Sequence, residues 1–240
     1  GSGDDTISAI FDDQGNETTW AISDQIDGGD GTDTLNALVL NANAGSDLVG
    51  RSTSGVERLF FDHVDAEGTE DDIQIDTSGF SGAEEIWAAG GTSNQDGTAD
   101  ASADDTMTFN KIAAGTTVGV ANNGANLGVE FNFANAATSG SADSVTLAAG
   151  GGTTNTVDLA DQSFETVDIA TSDAASGIGN LALSSDSATV NVTGDQGLTV
   201  SNELANVTAF DASENSGAVD VSLQVDSSLS AAGGSGDSDS

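Results

Sequence analysis

Short stretches in which apolar and polar residues alternate run the length of this chain, and they leave room for little but β structure. They include DTISAIF (5–11), DTLNALVL (33–40), TMTFN (106–110), VEFNF (129–133), TVDLA (156–160), TVDIA (166–170) and VDVSL (219–223). Period-two alternation bounded by Gly, Asp, Asn and Ser sends alternate side chains to opposite faces of an extended strand. Asp and Gly are poor helix formers, whereas Thr and Val favour extended chain. In the second half the strand centres, from Val145 to Val219, lie 8 to 14 residues apart. That spacing admits a sandwich, a barrel or a solenoid.

Internal resemblances help to choose among these. One phrase, an acid or Asn followed by Thr or Ser and an apolar residue, appears as DDTI (4–7), TDTL (32–35), DDTM (104–107), ADSV (142–145) and TNTV (154–157). A second phrase leads from a small or acidic residue into an apolar strand, as in GVERLFF (55–61), AEEIWAA (83–89) and FETVDIA (164–170). The first four copies of the former, counted at Ile7, Leu35, Met107 and Val145, fall 28, 72 and 38 residues apart. Stacked coils tolerate such irregularity, because insertions emerge as corner loops. The expected fold is therefore all-β, a right-handed parallel β-solenoid with irregular coils, with β-sandwich domains as the alternative. Residues 1–110 form an acidic region, 111–230 an Ala/Thr/Asn-rich region, and 231–240 a linker or the start of a further repeat.

The charge narrows the partners. Forty Asp and Glu face three Lys and Arg, for a net charge of -37. Such a surface repels nucleic acid and anionic lipid and attracts cations. No apolar run approaches the ~18 residues of a membrane span. The N-terminus lacks the basic and apolar segments of a secretion signal, so an internal piece of a longer protein, or export by another signal, is expected. With no cysteine there are neither disulfides nor thiolate metal sites.

The stretch GGDGTDTLN (28–36) explains where cations would go. It fits the nonapeptide G-G-x-G-x-D-x-U-x, with U a large apolar residue: Gly28, Gly29 and Gly31 fill the glycine places, Asp33 the acid and Leu35 the apolar place. Glycines permit left-handed turns in which backbone carbonyls and a carboxylate point inward together. Calcium, a hard cation that takes 6 to 8 oxygens, is the natural guest of such a corner. GSGDDTI (1–7) supplies the last seven places of the same pattern through Gly1, Gly3, Asp5 and Ile7. The candidate metal residues are Gly3, Asp5, Asp27, Gly29, Asp30, Gly31 and Asp33, with Asp105 of the glycine-free copy ADDTM. Asp12, Asp13, Asp71 and Asp72 read as solvated corners. The plainer reading is that Asp-Gly clusters form ordinary turns on a surface made soluble by acids.

With these residues the chain resembles the RTX family of secreted, calcium-dependent β-roll proteins. The long Ala/Thr/Asn-rich strands add a similarity to bacterial surface-layer proteins and large repeat adhesins that carry RTX units. The resemblance covers residues 1–8 and 28–36; elsewhere the pattern departs, with Asn155 or Ser238 in place of the acid. It implies type I secretion, an extracellular cell-surface location, folding on calcium, and self-association into a lattice or filament, with cell-surface polysaccharide as a further partner. The expected function is a structural module of a surface layer, or alternatively a stalk or ligand-binding module of an adhesin.

Enzymatic signatures are missing. G-x-S-x-G, H-E-x-x-H and G-x-x-x-x-G-K-[ST] do not occur, and an enzyme is not expected. His63 is the single histidine and reads as an exposed strand-end residue. Trp20, Trp87 and the nine Phe read as core or as plugs at coil ends. Asn191 and Asn206 stand in sequons and read equally as members of polar ladders between coils.

Overall fold

The computed structural model describes residues 1–12, 17–40, 46–64, 72–92, 105–123, 127–134, 140, 142–160, 162–184, 189–224 and 229–235. Asp13 and Asp71 lie outside the described residues. The chain is a parallel β-solenoid whose described strands all pair in parallel. One sheet has ten strands, in the order β1 (Thr6–Asp12), β3 (Thr34–Leu40), β6 (Arg58–Val64), β9 (Glu85–Thr92), β11 (Thr117–Val120), β13 (Ser144–Ala149), β15 (Thr166–Thr171), β17 (Thr189–Gly194), β19 (Ala209–Asp211) and β21 (Ser230–Ala232). The facing sheet has eight: β4 (Ser46–Leu48), β7 (Ile73–Asp76), β10 (Asp105–Ile112), β12 (Leu127–Phe133), β14 (Gly152–Leu159), β16 (Ser176–Leu183), β18 (Leu198–Leu204) and β20 (Val219–Leu223). A three-stranded sheet, β2 (Gln25–Asp27), β5 (Ser52–Ser54) and β8 (Phe80–Ser81), closes the first coils. β10 runs through residue 111, and both sheets continue past it. Residues 231 and 232 belong to the last strand.

The alternation stacks like on like. In the ten-stranded sheet Ile7, Leu35, Leu59, Ile86, Val118, Leu147, Ile169 and Val192 hold one register position on the inward face. Each buried Leu, Ile or Val contributes about 1.5–3 kcal/mol by leaving water. The two sheets meet through aromatic rings. Phe61 of β6 packs edge-on against Phe109 of β10 at 5.4 Å, and Phe109 stacks on Phe131 at 5.3 Å. Trp20 and Phe61 both lie 6.0 Å from Phe80, so the first coils share one aromatic core.

His63 corrects the sequence reading: it is 0% exposed. Alternation along β6 turns 59, 61 and 63 inward together, and His63 takes the core place that Val39 holds in the coil before. Polar ladders tie the outside. The Asn110 amide donates to Gln74 at 2.7 Å, Asn132 donates to Asn110 at 3.3 Å, and Gln162 donates to Asn132 at 3.2 Å. Asn191 donates to Asp168 of the neighbouring coil at 2.7 Å, the ladder role foreseen for it. Asn206 sits at positive φ, 67°, outside any strand.

Lys111 forms a bulge in β10 at φ 62° and its Nζ lies 2.7 Å from Asp76 Oδ2. Burial pushes the Asp76 carboxyl up, but hydrogen bonds from Lys111 and Ser78, with the Lys111 charge, hold it below its ordinary 3.8. A depressed carboxylate stabilises the fold fully above the unfolded value and loses that effect as pH falls through the folded one. Asp76→Asn is therefore expected to cost at most about 1 kcal/mol at pH 7, as befits an exposed pair. The cost should shrink as pH falls below 3.8 and through the depressed folded value, which urea unfolding at neutral and acid pH checks.

Candidate functional site

The glycine-aspartate stretch forms the corner that enters β3. Its six residues, 28–33, span a turn that the next two coils make in three: Gly55-Val56-Glu57 and Gly82-Ala83-Glu84. The preceding corner, residues 1–5, stacks on it in register, with Ser2 bridging Asp30 and Thr6 opposite Thr34. Gly29 and Gly31 take φ of 100° and 128°, conformations that L side chains avoid. Space imposes the same choice. A Cβ on Gly29 would run into the Gly1 carbonyl oxygen, and one on Gly31 would lie 2.7 Å from the Gly3 carbonyl carbon.

Asp33 is the centre of the corner and is 0% exposed. Its Oδ1 accepts the Asp5 N–H at 2.7 Å, its own N–H donates to Glu57 Oε2 at 2.7 Å, and its carbonyl accepts from Arg58 N at 3.1 Å. The same device recurs later, where the Asp143 N–H donates to Glu165 Oε2 at 2.7 Å. Asp33, Glu57 and Glu165 thus each cap the strand entry of the coil before. On the ten-stranded sheet the two sequence phrases meet at one structural position, Asp33 with Glu57 and Asp143 with Glu165, whereas the copies at Asp105 and Asn155 lie on the facing sheet.

One atom is left over. Asp33 Oδ2 is buried without a hydrogen-bond partner. It faces the side of Gly28 that carries no side chain: a Cβ there would lie 2.5 Å from Oδ2 and would collide with the Gly55 carbonyl oxygen. A buried carboxylate oxygen without a donor costs several kcal/mol unless a proton or cation meets it. Asp33 Oδ2 and the Gly55 carbonyl are the oxygens that a hard cation at this corner would meet first. Among the described residues no three His, Asp or Glu side chains are grouped to hold a metal, so an ion here would depend chiefly on backbone oxygens.

The other candidates divide. Asp5 and Gly3 lie in the stacked corner and are exposed. Asp27, at the end of β2, and Asp30 are exposed beside it. Asp105 is 1% exposed but opens β10, on the opposite sheet, and does not join the group. Sequence reasoning missed Glu57 and Gly55 as members of the site; the signal available was Ser-Gly-Val-Glu at 54–57 recurring as Ser-Gly-Ala-Glu at 81–84. No family model, no curated protein and no solved structure matches the chain.

Proposed function

We propose that this chain is a structural module of a secreted bacterial surface-layer protein, stiffened by calcium and assembling with copies of itself. The observation that carries the proposal is the buried, partnerless Asp33 Oδ2, which packs against Gly28 close to the Gly55 carbonyl oxygen. Asp33 and the Gly55 carbonyl would hold the ion, and the bound charge would neutralise a carboxylate that folding takes out of water. The net charge of -37 supports the same reading, since divalent ions relieve repulsion that opposes compaction. The stacked coils support a structural role, because a solenoid passes rigidity from each repeat to the next.

Calorimetric titration with calcium tests the site. The wild-type chain is expected to bind, and Asp33→Asn to bind at least tenfold more weakly while keeping its β circular dichroism. Asn retains an oxygen for the Asp5 N–H, so an unchanged affinity in this variant would remove Asp33 from the site. Electron microscopy after calcium addition tests assembly. Regular two-dimensional sheets are expected; isolated rods would favour the stalk of an adhesin.

A further inference from the structure

The outer face of the ten-stranded sheet carries a groove of about 1020 Å³ that the calcium corner does not use. It crosses seven successive coils, from Ser8 on β1 to Asp173 just beyond β15. At about 4.8 Å per strand it runs about 29 Å along the solenoid axis, long enough to seat several units of an extended chain.

Phe60 and Trp87 line the groove, stacked at 5.6 Å; Trp87 is buried, 9% exposed, and Phe60 half-buried, so it is Phe60 that departs from the expectation of core or coil-end plugs. Alternation requires it: Leu59 and Phe61 point inward on β6, as Ile86 and Ala88 do on β9, so Phe60 and Trp87 point out. Glycines shape the walls. The Trp87 ring occupies the place of a Cβ on Gly119, and the Asp62 carboxylate the place of one on Gly90. Glu85 fixes the indole by accepting from Trp87 Nε1 at 2.9 Å, and it engages Arg58 Nη2 at 3.3 Å.

We infer that this groove binds a linear, uncharged polysaccharide chain lying along the solenoid axis. The backbone of the sheet beneath is committed to its own ladder, so a peptide would find no main-chain partners on this face, unlike at a sheet edge. The groove offers instead side-chain hydroxyls, amides and carboxylates at Ser8, Asn36, Asp62, Asn122, Ser172 and Asp173, beside an aromatic pair. A chain rich in hydroxyls brings its own donors to those acceptors and apolar ring faces to the aromatics. Charge excludes acidic polymers: the one base of the lining, Arg58, is engaged by Glu85, and Asp62 and Asp173 remain as anions. Burial holds the Asp62 carboxyl above its ordinary range, in keeping with a site partly screened from water. Asp62 pairs with Gly90 and Arg58 with Glu85, so the backbones that carry Asp62 and Glu85 are four residues apart along β6, about 13 Å.

The inference is independent of the calcium corner, and the test is run with calcium present and circular dichroism recorded, so that unfolding is recognised separately. Cellohexaose, maltohexaose, the hexamer of N-acetylglucosamine and polygalacturonate are titrated while tryptophan fluorescence is followed. Trp87 is the reporter, since Trp20 is 1% exposed in the core. At least one uncharged hexamer is expected to change the emission saturably, with polygalacturonate inert. Asn36→Ala should weaken binding at least fivefold, and Ala121→Phe, which fills the groove from outside the core, should abolish it with the β spectrum kept. Failure of all three uncharged chains, preference for polygalacturonate, or unchanged binding in Ala121→Phe overturns the inference. Loss of self-association in Ala121→Phe without any glycan response would show that a second copy of the chain occupies the groove.

Discussion

Phe109→Ala is expected to lower stability by about 3–5 kcal/mol, the cost of emptying a large buried aromatic site that its surroundings cannot refill. Phe109 is 0% exposed and is the ring at which the two sheets meet, edge-on to Phe61 and stacked on Phe131. The stacked partner sits on the next coil of the same sheet and the edge partner on the facing one, so no single shift closes the cavity. For a chain of this length the loss corresponds to a melting point lower by roughly 10 °C. Circular dichroism melting reads it directly. Phe109→Leu, which keeps much of the volume, should lose less than half as much. A fall below ~1 kcal/mol for the alanine variant would mean that the aromatic core is not what joins the sheets.

Chelation is expected to have an effect of similar size. A ligand that binds only the folded chain stabilises it by about 4 kcal/mol at a thousandfold excess over its dissociation constant. Melting in saturating calcium should therefore exceed melting in chelator by roughly 10 °C. Part of the gain is local, at the buried Asp33 oxygen, and part comes from lowering the repulsion of a chain with net charge -37. Magnesium, which demands a tighter octahedron and gives up water reluctantly, should reproduce little of it. Asp33→Asn should melt in chelator no lower than the wild-type chain and gain less from calcium, keeping only the part due to net charge. Coincident wild-type curves in calcium and chelator would sink the metal reading and leave Asp33 as a cap on the Asp5 N–H alone.

The strands were legible where a buried face demands alternation. TVDIA (166–170) puts Val167 and Ile169 inward, and the structure stacks them on Val145 and Leu147. β2, β5 and β8 carry no such pattern, since QID, STS and FS are too short to alternate, and only their neighbours reveal them. The corner was legible in part. Glycine needs at Gly29 and Gly31 are local and show in the residues themselves, whereas the partners of Asp33 come from the coil before, Asp5, and the coil after, Glu57. His63 misled because a polar residue after two Phe resembles a strand end, while the strand runs on to Val64.

Alternation and turn chemistry, which act between neighbours in the chain, were enough to specify an all-β chain and to mark its glycine-rich corner, and the recurring phrases favoured stacked coils over a sandwich. Register is a different matter. Which acid caps which coil, which oxygen is stranded beside Gly28, and which aromatics line a groove across seven coils all depend on residues 20 to 30 positions apart meeting at one height. Variable corner loops shift that height without altering any strand's own pattern. Only the stacked structure decides it.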